Sequence, residues 1–293
     1  MRTVRRLAKT VLPEAAVRRI RPYARAAVRR IRPFARSIPL LRPLMPADKL
    51  RELELSRLEL IRSARLSDLR DPDFLEHELL PQLGLNDELL HQFPPSLYPH
   101  TGQGLYHWQY PNQFGPYLAR VSRLGIQSYL EIGVRHGGTF LITIEYLSRF
   151  NPIQRAVGID LGVPSSALRE YAAARPHVTV LEGDSRGREF TTLVREGQPF
   201  DLVLIDGDHS EEGCRADLEL VAEHGRVLVF HDIVSEPTPG VRKVWADFKH
   251  ANGELHEFAE FTEQYDELKA KSNADYIGIG VSIPKAPQLD PQD

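Results

Sequence analysis

From residue 126 onward the chain alternates short apolar runs with stretches of helical period, and this alternation restricts the fold more than any other feature. Strands are expected at 128–132, 156–160, 178–182, 202–205, 227–230 and 276–281, with helices near 137–149, 165–174, 188–196, 211–224 and 240–251. Strands that are apolar at nearly every position need cover on both faces, and strand–helix–strand repeats supply it. The expected fold is therefore α/β, a doubly wound and mostly parallel sheet whose ligands bind beyond the carboxyl ends of its strands.

Those strand ends carry a recurring chemistry. The first four finish at or near Glu131, Asp160, Asp184 and Asp206, and the fifth at His231 and Asp232. Any one of these could cap a helix or close a turn. Their recurrence at consecutive strand ends points instead to one shared pocket. The first turn, "YLEIGVRHGG", supplies Gly133 and Gly137. A dinucleotide site uses G-x-G-x-x-G, whose second glycine lets the backbone approach a pyrophosphate, and Arg135 stands at that position here. The phosphate loop G-x-x-x-x-G-K-[ST] is absent as well. An adenosine ligand without phosphate removes the conflict, with Asp160 accepting from ribose hydroxyls.

A second cluster is spelled by "IDGDH", with Asp206, Asp208 and His209, and by "FHDI", with His231 and Asp232. Carboxylates with one imidazole suit Mg2+ or Mn2+ better than a thiolate-rich zinc site. His209 and His231 are candidate bases, because a neutral imidazole can take a hydroxyl proton near neutral pH. Each also has a structural reading: His209 as a cap on the helix opening near Ser210, His231 as a satisfied buried histidine. "HWQYPNQF" at 107 to 114 places aromatics beside Gln109 and Gln113, which suits either a planar-ligand pocket or packing over the sheet.

Taken in order, "YLEIGVRHGGTF", "AVGIDLG", "VLEGDS", "FDLVLIDGDHSEEGCRADLEL", "GRVLVFHDI" and "GVRKVWADF" resemble a class I S-adenosylmethionine-dependent methyltransferase. The likeness is strongest to the bacterial branch with cephalosporin-hydroxylase-type and macrocin-type O-methyltransferases, and it spans about residues 105 to 283. The resemblance implies a Rossmann-like sheet and S-adenosylmethionine as cofactor. Glu131, Gly133 and Gly137 would surround its methionine end, Asp160 its ribose, and Asp184 with Ser185 its adenine. Asp206 and Asp232 match metal-ligand positions, and His231 stands where the related enzymes carry an acid, so the implied Mg2+ or Mn2+ set is Asp206, Asp232 and His231. His209, His231 and Asp206 would act on the acceptor, a hydroxyl of a sugar, glycan or natural product. Methyl transfer would be an in-line displacement, accelerated mainly by alignment. A dinucleotide oxidoreductase is disfavoured by Arg135. A catalytically weak binding or scaffold protein on the same fold is the alternative.

The preceding residues differ in kind. Residues 1 to 50 hold fourteen Lys/Arg against two acids, a charge of +12, while the other 23 basic and 38 acidic residues give −15. "AVRRIRPYAR" at 16 to 25 recurs as "AVRRIRPFAR" at 27 to 36, with prolines suited to opening short helices. The expected organisation is a basic arm over 1–46, a helical and irregular accessory segment over 47–125, the α/β domain over 126–283 and a tail over 284–293. Within the accessory segment, 47–69 reads as one helix whose apolar face is Leu50, Leu53, Leu58, Ile61 and Leu66. The arm suits an anionic membrane surface, an acidic partner or plain solvation. An acidic body disfavours nucleic acid as partner, and no D/N-P-P-Y tetrapeptide is present. A homo-oligomer is compatible with the sequence. One cysteine, no apolar run of membrane-span length and no secretory apolar core lead to an expected cytoplasmic location, with peripheral attachment at the inner membrane surface as a variant.

Overall fold

The computed structural model describes residues 54–88, 90–269 and 274–285. The basic arm, the beginning of the helix expected from residue 47, and most of the tail lie outside the described residues. The described ones all fall within the unit Pro39–Asp293.

Helix α1 (Pro111–Val121) leads into the alternating part of the chain. There β1 (Ser128–Ile132), α2 (Gly138–Ser148), β2 (Arg155–Asp160), α3 (Ser166–Ala173), β3 (Val178–Glu182), α4 (Arg188–Glu196) and β4 (Phe200–Ile205) follow one another. The chain continues through α5 (Glu211–Val221), β5 (Gly225–His231), α6 (Pro239–Asn252), β6 (His256–Phe261) and β7 (Ile279–Pro284). They form one seven-stranded sheet in the order β3-β2-β1-β4-β5-β7-β6. The first five strands are parallel, and β7 runs antiparallel to both β5 and β6. This is a doubly wound, Rossmann-like sheet. The order reverses between β1 and β4, which is where such a sheet opens a crevice.

Strand periodicity explains why the central strands are apolar throughout. Leu202 and Leu204 of β4 belong to one buried cluster, while Val203 and Ile205 belong to the other. On β5, Val227 and Val229 face the first cluster, and Leu228 and Phe230 the second. Successive side chains point to opposite faces, and helices cover both. Trp245 of α6 is buried against Phe230 at a centroid distance of 5.1 Å.

The first cluster also takes in the accessory segment through Leu58, Ile61, Leu69, Leu75, Leu79 and Leu83. An ion-pair set fastens it there: Arg62 bonds both oxygens of the buried Glu145 on α2, with Nε at 2.8 Å and the other nitrogen at 2.5 Å. Three sequence expectations need correction. The helix expected over 47–69 is broken: Leu58–Ser63 ends at Ala64, which is extended at ψ 149°, and a new helix runs Leu66–Leu69. Leu66 is consequently exposed while Leu69 is buried. Strand β6 was not expected from the sequence; it is an edge strand of mixed exposure. The last strand begins at Ile279 rather than 276, because Ile277 and Gly278 adopt φ of +60° and +89° and interrupt the extended backbone. Among the described residues no helix is long and apolar enough to cross a membrane.

Candidate functional site

The carboxyl ends of β1 to β5 open on one cavity of about 710 Å³. Its first wall is the turn from β1 into α2. Gly133 has φ +92°, and a Cβ there would lie 1.9 Å from the Asp206 carbonyl oxygen, so only glycine lets the β1 and β4 ends approach this closely. Gly137 caps α2 in a left-handed conformation at φ +93°. Arg135 lies between them at φ +49°, and its backbone N–H donates to Asp160 Oδ2 at 2.6 Å. The Gly162 N–H donates to Asp160 Oδ1 at 2.7 Å, so two amides fix the carboxylate at the β2 end. The Arg135 guanidinium turns away over the Trp108 ring at 3.9 Å and pairs with Glu88 at 2.9 Å.

Glu131 lies deeper, 1 % exposed, and accepts a hydrogen bond from the Tyr129 hydroxyl. Burial pushes its carboxyl well above the ordinary 4.5. In the turn after β3, Asp184 accepts from Arg186 through two side-chain bonds of 2.9 Å, and this pair holds its pKa at about 2. Ser185 beside it donates to Asp217 of α5 at 2.5 Å.

The far wall holds the second cluster. His209 Nε2 lies 3.2 Å from Asp206 Oδ1 and its Nδ1 3.5 Å from Asp232 Oδ2, so one imidazole bridges two carboxylates. The hydrogen bond to Asp206 raises the His209 pKa. His231 is 3 % exposed; its Nε2 is 3.0 Å from Gln109 Oε1, and its Nδ1 is 3.0 Å from Asp206 Oδ1 but off the line of a hydrogen bond. Burial opposes charge on this ring, yet Asp206 and Asp232 outweigh it and lift the pKa to about 9. Asp206 is itself depressed, burial being outweighed by the two imidazoles, and Asp232 is raised by burial. Asp232 holds φ +63°, a strained conformation for a residue with a side chain.

Asp206, His209 and Asp232 each offer one ligand atom within 4.8 Å of the others. Two carboxylates and an imidazole fit a divalent cation of the Mg2+ or Mn2+ type. The expected Asp206 and Asp232 both belong to this group together with His209, while His231, the third residue expected there, is outside it. His231 also faces both acids, its Nδ1 3.0 Å from Asp206 and 3.6 Å from Asp232, and its second nitrogen is turned to Gln109.

All the sequence-expected cofactor residues line this cavity except Gly137, which lies directly beside it as the cap of α2. Of the aromatic stretch, Trp108 lines the cavity, whereas Tyr110 is fully buried and donates to Gln92 at 2.8 Å. Sequence reasoning missed Asp217 and the part played by Gln109. Asp217 lies on the buried face of α5 with Cys214, Leu218 and Val221, and an acid inside such an apolar stripe was the available signal. Gln109 meets His231 across 122 residues, a contact that no local pattern announces.

Residues 130–233 match a family described as a methyltransferase domain. No curated protein matches the chain. Among solved structures, a Klebsiella pneumoniae protein described as an O-methyltransferase is similar at 17 % identity and a TM-score of 0.45, covering 81 % of this chain and all 100 % of its own. An O-methyltransferase from Bacillus cereus, solved with S-adenosylhomocysteine, shows 16 % identity and a TM-score of 0.44, covering 82 % of this chain and 100 % of that one. TomG of Streptomyces achromogenes, an O-methyltransferase involved in tomaymycin synthesis and solved with S-adenosylmethionine, gives 16 % and 0.44, with 83 % and 100 % covered. Likeness at this level carries no argument about substrate.

Proposed function

We propose that this chain, which carries a class I S-adenosylmethionine-dependent methyltransferase domain, transfers a methyl group to a hydroxyl of a small molecule, a sugar, glycan or natural product being the acceptor we favour. The observation that carries this reading is one cavity holding both an adenosine-type cradle, with Asp160 fixed by two amides, and an imidazole set between two carboxylates. The cradle offers acids where a phosphate ligand would need amides or cations. It suits a sulfonium cofactor.

In this reading Glu131 and the Gly133 turn hold the methionine end, Asp160 the ribose, and Asp184 with Ser185 the adenine. His209 then faces the acceptor. Its elevated pKa makes it a competent proton acceptor once deprotonated, and Asp206 and Asp232 stabilise the imidazolium that results. A divalent cation held by Asp206, Asp232 and His209 would take the place of that base, supplying Lewis acidity at the acceptor hydroxyl in its stead. His231 adds a buried imidazole charge beside Asp206 and Asp232. The chain's contribution to rate is chiefly alignment of acceptor oxygen, methyl and sulfur. Outside the described residues, the basic arm would add a membrane or acidic-partner contact, which deletion of residues 1–46 would abolish without loss of cofactor binding.

Calorimetry with S-adenosylmethionine, S-adenosylhomocysteine and NAD, each with and without Mg2+, tests the reading. Binding of the two adenosyl sulfur compounds is expected, and NAD is expected to be silent. Affinity for NAD alone would overturn the assignment.

A further inference from the structure

Ser185 projects from the turn after β3 and Asp217 from α5, and both line the end of the cavity that also holds Asp160, Leu161 and Asp184. Asp217 is 2 % exposed, and its Oδ1 accepts the Ser185 hydroxyl proton at 2.5 Å. Its Oδ2 has no hydrogen-bond partner among the described residues. A separation this short is characteristic of a hydroxyl donating to a carboxylate. A serine hydroxyl has one hydrogen and two lone pairs. With the hydrogen committed to Asp217, only lone pairs remain to meet a ligand.

We propose that Asp217 is a specificity-determining positioning residue: by holding the Ser185 proton it leaves that hydroxyl an obligate acceptor, which selects a purine bearing a 6-amino donor over one bearing a 6-oxo acceptor. This rests on the adenosine-cofactor reading and deepens it. A 6-amino group would complete the Ser185 oxygen, whereas a 6-oxo group would set lone pair against lone pair. Asp217 touches no ligand in this arrangement; it acts through Ser185.

The test needs no knowledge of the methyl acceptor. Calorimetry on the full chain compares S-adenosylhomocysteine with S-inosylhomocysteine, its 6-oxo counterpart. The wild type is expected to favour the adenosine compound by about fivefold or more, the lower end of what an unmatched polar pair costs. Asp217→Asn presents an amide that can turn its N–H to Ser185, freeing the hydroxyl to rotate and donate, so the preference should fall by about fivefold or more. Ser185→Ala, at a half-exposed position, should lower the preference to the same degree, and adding Asp217→Asn to it should change nothing further. Thermal melting confirms that each variant is folded. A preference left intact in Asp217→Asn or in Ser185→Ala overturns the proposal, as does an Asp217→Asn effect of equal size without the serine. If neither compound binds the wild type, the cofactor reading itself fails, an outcome distinct from equal binding of both.

Discussion

Replacing Gly133 by alanine isolates the contact on which the cavity depends. Two costs arise. The first is conformational: at φ +92° a side chain meets its own backbone, which costs about 1–2 kcal/mol. The second is steric. The new Cβ would lie 1.9 Å from the Asp206 carbonyl oxygen and 2.4 Å from its carbon, whereas ordinary contact begins at 3.4 Å, so the β1 and β4 ends would have to part by about 1.5 Å. That movement pulls on the bond from Asp206 N–H to the Ile132 carbonyl, now 2.9 Å, and displaces both Asp206 and the glycine turn. Together these place Gly133→Ala in the range of about 3–5 kcal/mol. Gly125 provides the control, because it also has positive φ, +64°, yet a Cβ there meets nothing within 4 Å. Gly125→Ala should show the conformational cost alone. Differential scanning calorimetry should give a melting shift for Gly133→Ala at least about twice that of Gly125→Ala. S-adenosylmethionine affinity should fall at least about tenfold only in the former. Equal melting shifts with unchanged affinity would refute the argument that close approach of the strand ends shapes the pocket.

Other outcomes are open to simpler measurements. Asp160→Ala should weaken S-adenosylmethionine by about 10–100-fold in calorimetry; unchanged affinity would remove this carboxylate from the ribose role. His209→Gln should slow methyl transfer by about 10²–10⁴-fold while leaving cofactor affinity within about twofold. Because the His209 pKa is raised above the ordinary 6.5, wild-type activity should decline as pH falls through a value higher than that, and a profile flat from pH 6 to 9 would deny it the role of base. Arg62→Ala should destabilise the fold by about 1–3 kcal/mol at neutral pH, through loss of its bonds to Glu145. Burial alone would raise the Glu145 pKa, but Arg62 together with Tyr171 and Arg175 outweighs it and the net shift is downward, so the stabilisation is present above 4.5 and lost as pH falls through the depressed value. Urea denaturation at pH 7 and pH 3 should therefore show the gap between wild type and variant closing in acid; a constant gap would contradict the ion-pair account.

What the sequence disclosed follows from where each element lies. Strands β1, β4 and β5 are covered on both faces, so their residues read as unbroken apolar runs and their positions were legible. Strand β6 presents no such run, since every one of its residues is exposed or half-buried at the sheet edge. The site acids were legible as a series because the fold brings every parallel strand end to one crevice. The division of labour among them was not. Both His209 and His231 meet the acids, and what separates them is burial, since Gln109 arrives from before β1 to cover the far nitrogen of His231 while His209 stays half-exposed. Asp217 was hidden for the opposite reason: local pattern assigned its whole helix face to the core, and only the approach of the β3 turn reveals a polar partner in Ser185.

At Arg135, side-chain bulk alone does not decide which class of cofactor fits the crevice. Its guanidinium lies at the cavity wall over Trp108 and is paired with Glu88, so its charge is already committed. Its main chain makes the difference, because the amide that a phosphate would seek is already donated to Asp160. The other guanidinium at the cavity, Arg186, is likewise committed to Asp184. A dianionic bridge entering here would meet Asp160, Asp206 and Asp232, the last two already sharing the imidazoles of His209 and His231, whereas a ligand carrying an ammonium and a sulfonium would meet the same acids as partners. The selectivity argued from a missing glycine is thus, in the folded chain, carried by the sign of the charge around the turn.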